Sequence, residues 1–205
     1  MAAKIIRAGG ADFLVEEERA SLYGHDTRLM EKHWTPSAGQ VCVDIGFGPG
    51  TWTLAALAQG AYTYSFDPRI EAVDLLMRQI ILNSFTRGIV LPFALLEKET
   101  TRPFSDSSFH WGDLSRRVPA ISLDQFFDRV HPRSVDFVNI DAEGSEIEVL
   151  MGARRILSGQ RPKLIVEIHK NVDPKNAIEI LSDLDVGYQA LVGGGFLIAE
   201  APRGA

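Results

Sequence analysis

The chain has a single cysteine, Cys42, among 205 residues, so no intrachain disulfide can form. Long apolar runs are missing as well. Nothing approaches the roughly 20 consecutive residues that a membrane span needs, and the opening MAAKIIRAGGADF lacks the apolar core of a secretory leader. Basic charge is in deficit, with 21 Lys and Arg against 27 Asp and Glu and a formal net charge of −6, which argues against the cationic footprint of nucleic-acid or anionic-membrane binding. Internal repeats and low-complexity tracts are also absent. These absences point to a cytoplasmic protein with no nucleic-acid and no membrane partner. What is present is an ordinary globular composition, 45% hydrophobic and 23% charged, which predicts a single domain over residues 1–205.

Residues 11–34 mix charges with Leu22, Leu29 and Met30 and read as helix with a break near Gly24, so a helical N-terminal cap (1–38) is expected ahead of an α/β core (39–205). Strand candidates follow at 41–45, 62–66, 89–95, 135–140, 163–169, 187–192 and 196–200, with helical patterns at 51–59, 69–83, 122–130, 145–158 and 174–185. Strands alternating with helices predict βαβ units and a seven-stranded, mostly parallel sheet. Only three glycines separate the last two strand candidates, too few for a crossover helix, so these form an antiparallel C-terminal hairpin. The stretch Glu97–Arg117 is polar and loop-like yet carries Phe104, Phe109 and Trp111, which suits a loop that recognises a substrate.

The first core strand runs into glycines as VCVDIGFGPG, residues 41–50. A glycine loop after a strand lets backbone and ligand approach closely, and two cofactor classes use one: dinucleotides and S-adenosylmethionine. A dinucleotide fingerprint counted from Gly46 wants glycine at position 51, where Thr51 stands. Asp44 would repel a pyrophosphate but attract the ammonium and sulfonium of S-adenosylmethionine. Asp67, closing the next strand candidate in YSFDPRI, stands where a carboxylate accepts from the ribose hydroxyls that both cofactors share. Asp44, Gly46, Phe47, Gly48, Gly50, Asp67 and Pro68 are therefore the cofactor-binding candidates. Asp44 as a turn or helix-capping residue is the plainer alternative.

The segments DIGFGPG (44–50), FDP (66–68), LDQFF (123–127), NIDAEGSEIEVLMGA (139–153) and VEIH (166–169) resemble the FkbM family of class I S-adenosylmethionine-dependent methyltransferases. The resemblance spans residues 41–169, with IDAEGSEIEVL its most specific part. Phe47-Gly48, Asp67 and Asn139 depart from the residues common in that family. The resemblance implies a Rossmann-like class I fold, S-adenosyl-L-methionine as cofactor, and methylation of a hydroxyl on a small molecule or carbohydrate. A nicotinamide oxidoreductase and a non-catalytic cofactor-binding domain are the rival readings.

An aliphatic hydroxyl must lose its proton as it attacks, so a base or a metal ion helps. Asp141, at the end of the fourth core strand, is a candidate for contact with cofactor or acceptor. Glu143 is either a helix cap or a catalyst. Glu167 and His169, two apart on a strand, are expected to project together as a base pair. With Asp141 they could also ligate a divalent cation, although a metal is not expected. Glu146 and Glu148, among Ile147, Val149 and Leu150, read as the solvated face of a helix. In the loop after Glu97, Phe109 and Trp111 could stack on a ring, and Arg102, His110, Arg116 or Arg117 could meet an anion.

Overall fold

The computed structural model describes residues 2–23, 27–104, 117–131 and 134–202. It contains two compact units, Met1–Pro92 and Phe93–Ala205. In the first unit, Ala3–Ala8 (β1) and Ala11–Glu16 (β2) pair antiparallel across Gly9-Gly10, with Ala8 opposite Ala11. Both turn residues need a positive φ (56° and 77°), which glycine adopts without strain and which suits the twist of a two-residue hairpin. This corrects the expected helix from residue 11: the cap begins as a hairpin, and among its described residues Glu17–Tyr23 (a 3-10 helix) and Thr27–His33 (α1) are the helical ones. Asn83 anchors the hairpin by donating to the Leu14 carbonyl and accepting from its N–H, while the Glu16 N–H donates to Gln79.

The unit continues through Val41–Ile45 (β3), Thr51–Ala58 (α2), Tyr62–Phe66 (β4), Ile70–Leu82 (α3) and Gly88–Leu91 (β5). The three strands run parallel in the order β3-β4-β5. Every residue of β3 is buried, and so are residues 51–57 of α2, in keeping with near-continuous apolar sequence.

The second unit opens with a small sheet not expected from the sequence: Ala94–Leu95 (β6), Thr100–Pro103 (β7) and Arg117–Ile121 (β8), in the order β6-β8-β7. The apolar run 89–95 thus divides between β5 and β6 around Pro92, which has no N–H for a ladder. Leu123–Val130 (α4) starts at a reciprocal Ser122–Gln125 capping box. Phe137–Ile140 (β9), Glu146–Met151 (α5), Arg154–Gln160 (α6), Lys163–Glu167 (β10), Pro174–Ser182 (α7), Gln189–Gly193 (β11) and Phe196–Glu200 (β12) follow. The expected helix 145–158 breaks at Gly152, whose missing side chain leaves room for the Leu96 carbonyl. β9 and β10 are parallel, whereas β12 pairs antiparallel with both β10 and β11. Among the described residues the main sheet has seven strands, mostly parallel, with the expected antiparallel hairpin at its end. No helix among the described residues is long and apolar enough to cross a membrane.

Candidate functional site

In the first unit, the loop after β3 is held by backbone bonds, with Gly46 N–H donating to the Phe66 carbonyl (2.7 Å) and Gly50 N–H to that of Phe47 (2.7 Å). Phe47 is buried and Gly50 caps α2. Gly48 has φ 56°, and a Cβ built on it would meet nothing within 4 Å, so the loop leaves an open cradle there. At the start of α2 the Thr51 hydroxyl is buried without a hydrogen-bond partner. An open glycine edge beside a buried orphan hydroxyl fits a loop that receives a polar ligand.

The two acidic candidates of this unit are both buried but differ in what they hold. Asp44 Oδ2 accepts from the Thr53 N–H (3.1 Å) and hydroxyl (2.7 Å), and that hydroxyl also bonds Ser65 (2.6 Å). One of its oxygens therefore satisfies an otherwise unpaired N–H in the first turn of α2, the capping role weighed above. Asp67 Oδ1 accepts from the Arg69 N–H (2.9 Å) and Nε (2.8 Å), and Oδ2 from Arg69 Nη2 (2.5 Å) and the Gly48 N–H (3.3 Å). The carboxylate at the end of β4 thus touches the glycine loop directly. Pro68, half-buried, follows it.

In the second unit, the turn after β9 brings a histidine among three carboxylates. His169 Nδ1 lies 2.8 Å from Glu146 Oε1, and its Nε2 lies 3.3 Å from Glu143 Oε2 and 3.7 Å from Asp141 Oδ1. Glu146, expected on a solvated face, is fully buried: it is the first residue of a six-residue helix, and its Oε1 also accepts from the N–H groups of Ala142 (3.2 Å) and Gly144 (3.0 Å). The helical pattern of apolar neighbours hid this role. Its position just after the Asp-Ala-Glu-Gly-Ser turn, whose backbone N–H groups stand outside any strand or helix ladder, was the available signal. Glu148, also expected to be solvated, is partly buried and pairs with Arg102.

Glu143 sits in the left-handed region (φ 51°), which turns the chain so that its carboxylate faces His169 rather than capping α5. Burial, the largest single influence on His169, pushes its pKa down. The charge and hydrogen bond of Glu146, then the charges of Asp141 and Glu143, outweigh burial and leave it raised. Asp141, Glu143 and His169 also form a three-donor group whose ligand atoms all lie within 4.8 Å of one another. Glu167 is not one of those donors. Its strand ends at residue 167, so the alternation expected to align it with His169 does not reach that residue.

The family model of the methyltransferase FkbM domain matches residues 82–190, more than half of the chain, and that segment contains the whole histidine cluster. This chain belongs to the FkbM methyltransferase family. A hexuronic acid methyltransferase, AglP, of Haloferax volcanii is 36% identical over 152 residues, covering 68% of this chain and 60% of that protein. The crystal structure of methyltransferase FkbM from Methylobacillus flagellatus superposes with TM-score 0.64 at 21% identity, over 80% of this chain and 44% of that one. A candidate methyltransferase from Streptococcus mutans, solved in complex with SAH, superposes with TM-score 0.54 at 10% identity, over 82% and 91% of the two chains. These structures share the Rossmann-like class I fold. The FkbM-family chain described here spans about 60% of the Haloferax protein's length and less than half of the Methylobacillus chain.

Of the residues expected to recognise an acceptor, Phe109, His110, Trp111 and Arg116 lie outside the described residues of this FkbM-family chain. Arg117 donates to the carbonyl and hydroxyl of Thr101. Arg102 is the partner of Glu148, so the two flanking arginines tie β7 to β8 and to α5.

Proposed function

We propose that residues 1–205 act as one cytoplasmic methyltransferase domain that uses S-adenosyl-L-methionine to methylate a hydroxyl of a carbohydrate acceptor. The observation that carries the catalytic part is the 2.8 Å bond between His169 Nδ1 and the fully buried Glu146. A carboxylate oxygen accepts, so Nδ1 donates, and the neutral ring keeps its lone pair on Nε2, on the side of Asp141 and Glu143. In this reading Nε2 takes the proton of the acceptor hydroxyl. Glu146 holds the ring and offsets the charge that it gains, the role a buried carboxylate plays behind other catalytic histidines. Asp141 and Glu143 accept from neighbouring hydroxyls of the sugar.

When bound, S-adenosylmethionine supplies a methyl group on a sulfonium centre. The chain's part in holding it falls to the Gly46–Gly50 loop, whose open edge at Gly48 admits the ligand, and to Asp67, which accepts from the ribose. The carbohydrate acceptor is supported by the hexuronic acid methyltransferase of Haloferax. The test is incubation with labelled S-adenosylmethionine and a panel of hexuronic acid glycosides, followed by mass spectrometry. A methylated sugar that disappears with His169→Ala supports the proposal. Binding of the cofactor with no methylated product from any sugar would leave a non-catalytic cofactor-binding domain, and binding of NAD instead would favour an oxidoreductase. The donors of Asp141, Glu143 and His169 also suit a divalent cation. Activity abolished by EDTA and restored by Mn²⁺ would transfer proton removal from the imidazole to the metal.

A further inference from the structure

We propose that Arg69 is a latch on the ribose site, competing with the cofactor's diol for Asp67. The inference rests on the reading of Asp67 as the ribose acceptor. A carboxylate offers about four lone-pair sites, two on each oxygen. At Asp67 all four are taken: the Arg69 N–H and Nε on Oδ1, the Gly48 N–H and Arg69 Nη2 on Oδ2. Asp67's side chain is only 1% exposed, so no further donor can approach from solvent.

The four donors fall into two pairs. Two are backbone N–H groups, one from the glycine loop and one from the residue entering α3, and these stay as long as the fold does. The other two belong to a single side chain that is 35% exposed and can swing away. The guanidinium fork places one N–H on each carboxylate oxygen. A ribose cis-diol presents two O–H groups with the same demand, one for each oxygen. Fork and diol are therefore alternatives, and binding requires that the fork let go. Arg69 is the N-cap of α3 with extended backbone (φ −81°, ψ 116°), so its side chain can leave while its own N–H remains on Oδ1. Affinity for the nucleoside is then lowered by the fraction of molecules in which the latch is closed.

The test is calorimetric titration of S-adenosylhomocysteine into the wild type, Arg69→Ala, Arg69→Met and Asp67→Ala, with thermal melts of each with and without the ligand. Arg69→Met keeps an unbranched stem for packing, should the alanine variant fold poorly. The expected result is about tenfold tighter binding to both Arg69 variants, from the loss of a competing pair of charge-assisted bonds. A larger ligand-induced rise in Tm should accompany it, and Asp67→Ala should weaken binding. Unchanged or weaker binding by the Arg69 variants, with Asp67→Ala still losing affinity, would overturn the latch and leave the ribose role of Asp67 intact. If neither the wild type nor any variant binds, the cofactor reading falls and the latch with it.

Discussion

Asp67 and Glu146 are both fully buried carboxylates that follow a core strand, the first just past its end and the second opening the next helix, and they differ in how their donors are shared. Asp67 is even-handed, with two donors on each oxygen, half of them from one removable side chain. Glu146 is lopsided: Oε1 meets two backbone N–H groups and the imidazole, whereas Oε2 is buried with no partner. Paired donors on two oxygens form a template for a molecule that brings two hydroxyls. Donors crowded on one oxygen fix a ring and keep its charge balance in the carboxylate's hands. The first arrangement suits binding and the second suits proton transfer, which is how the two units divide the work proposed for them.

The sharpest way to break this contrast is His169→Ala. It should lower methyl transfer by roughly 10²–10⁴-fold while affinity for S-adenosylhomocysteine stays near the wild-type value, as kinetics and calorimetry together would show. An equal loss of both would erase the division between binding and proton transfer.

Glu146→Gln comes next. The ring loses its orienting charge, so kcat should fall about a hundredfold, the lower end of what a positioned base contributes. Because the first upward influence on His169 is gone, the ascending limb of the rate–pH profile should also move to lower pH. A base works when neutral, so the wild-type rate should climb as pH passes through the raised pKa of His169. Stability should run the other way. A raised folded-state pKa contributes stability that is fully present below the unfolded value of about 6.5 and is lost as pH rises through the raised one. The stability gap between wild type and His169→Ala should therefore shrink on going to alkaline pH, as denaturant titrations would measure.

Thr53→Val tests the other buried acid, Asp44. Removing the hydroxyl leaves Asp44 and Ser65 each short of a partner, at a cost of about 1–3 kcal/mol. A thermal melt should record a loss of several degrees. The smallest effect belongs to Arg102→Ala. Its pair with Glu148 is partly exposed, and stability should change by about 1 kcal/mol or less.

Much of the core could be read from the chain because its strands are short apolar runs bounded by glycine, proline or aspartate. β3, β4 and β12 begin and end where their sequence patterns do. The N-terminal hairpin was missed because AKIIRA and ADFLVE are short and charged at intervals. The Gly-Gly between them was the turn signal, and it outweighs a weak helical pattern. The sheet β6-β8-β7 escaped because two of its strands, TTRP and RVPAI, carry proline and charge that resemble loop.

The sequence by itself determined the kind of chemistry available: a glycine loop after a strand, acids at strand ends, and a histidine beyond the fifth core strand. These depend on local rules of backbone freedom and strand alternation that hold in any tertiary context. Only the tertiary structure decided partnership. It drew Asp44 into the start of α2, gave Asp67 to Arg69 and Gly48, and buried Glu146 beneath His169 in place of Glu167. The reason is physical. A buried carboxylate must find donors wherever the packed backbone happens to place them, and that choice is made by distances between segments that no local pattern encodes.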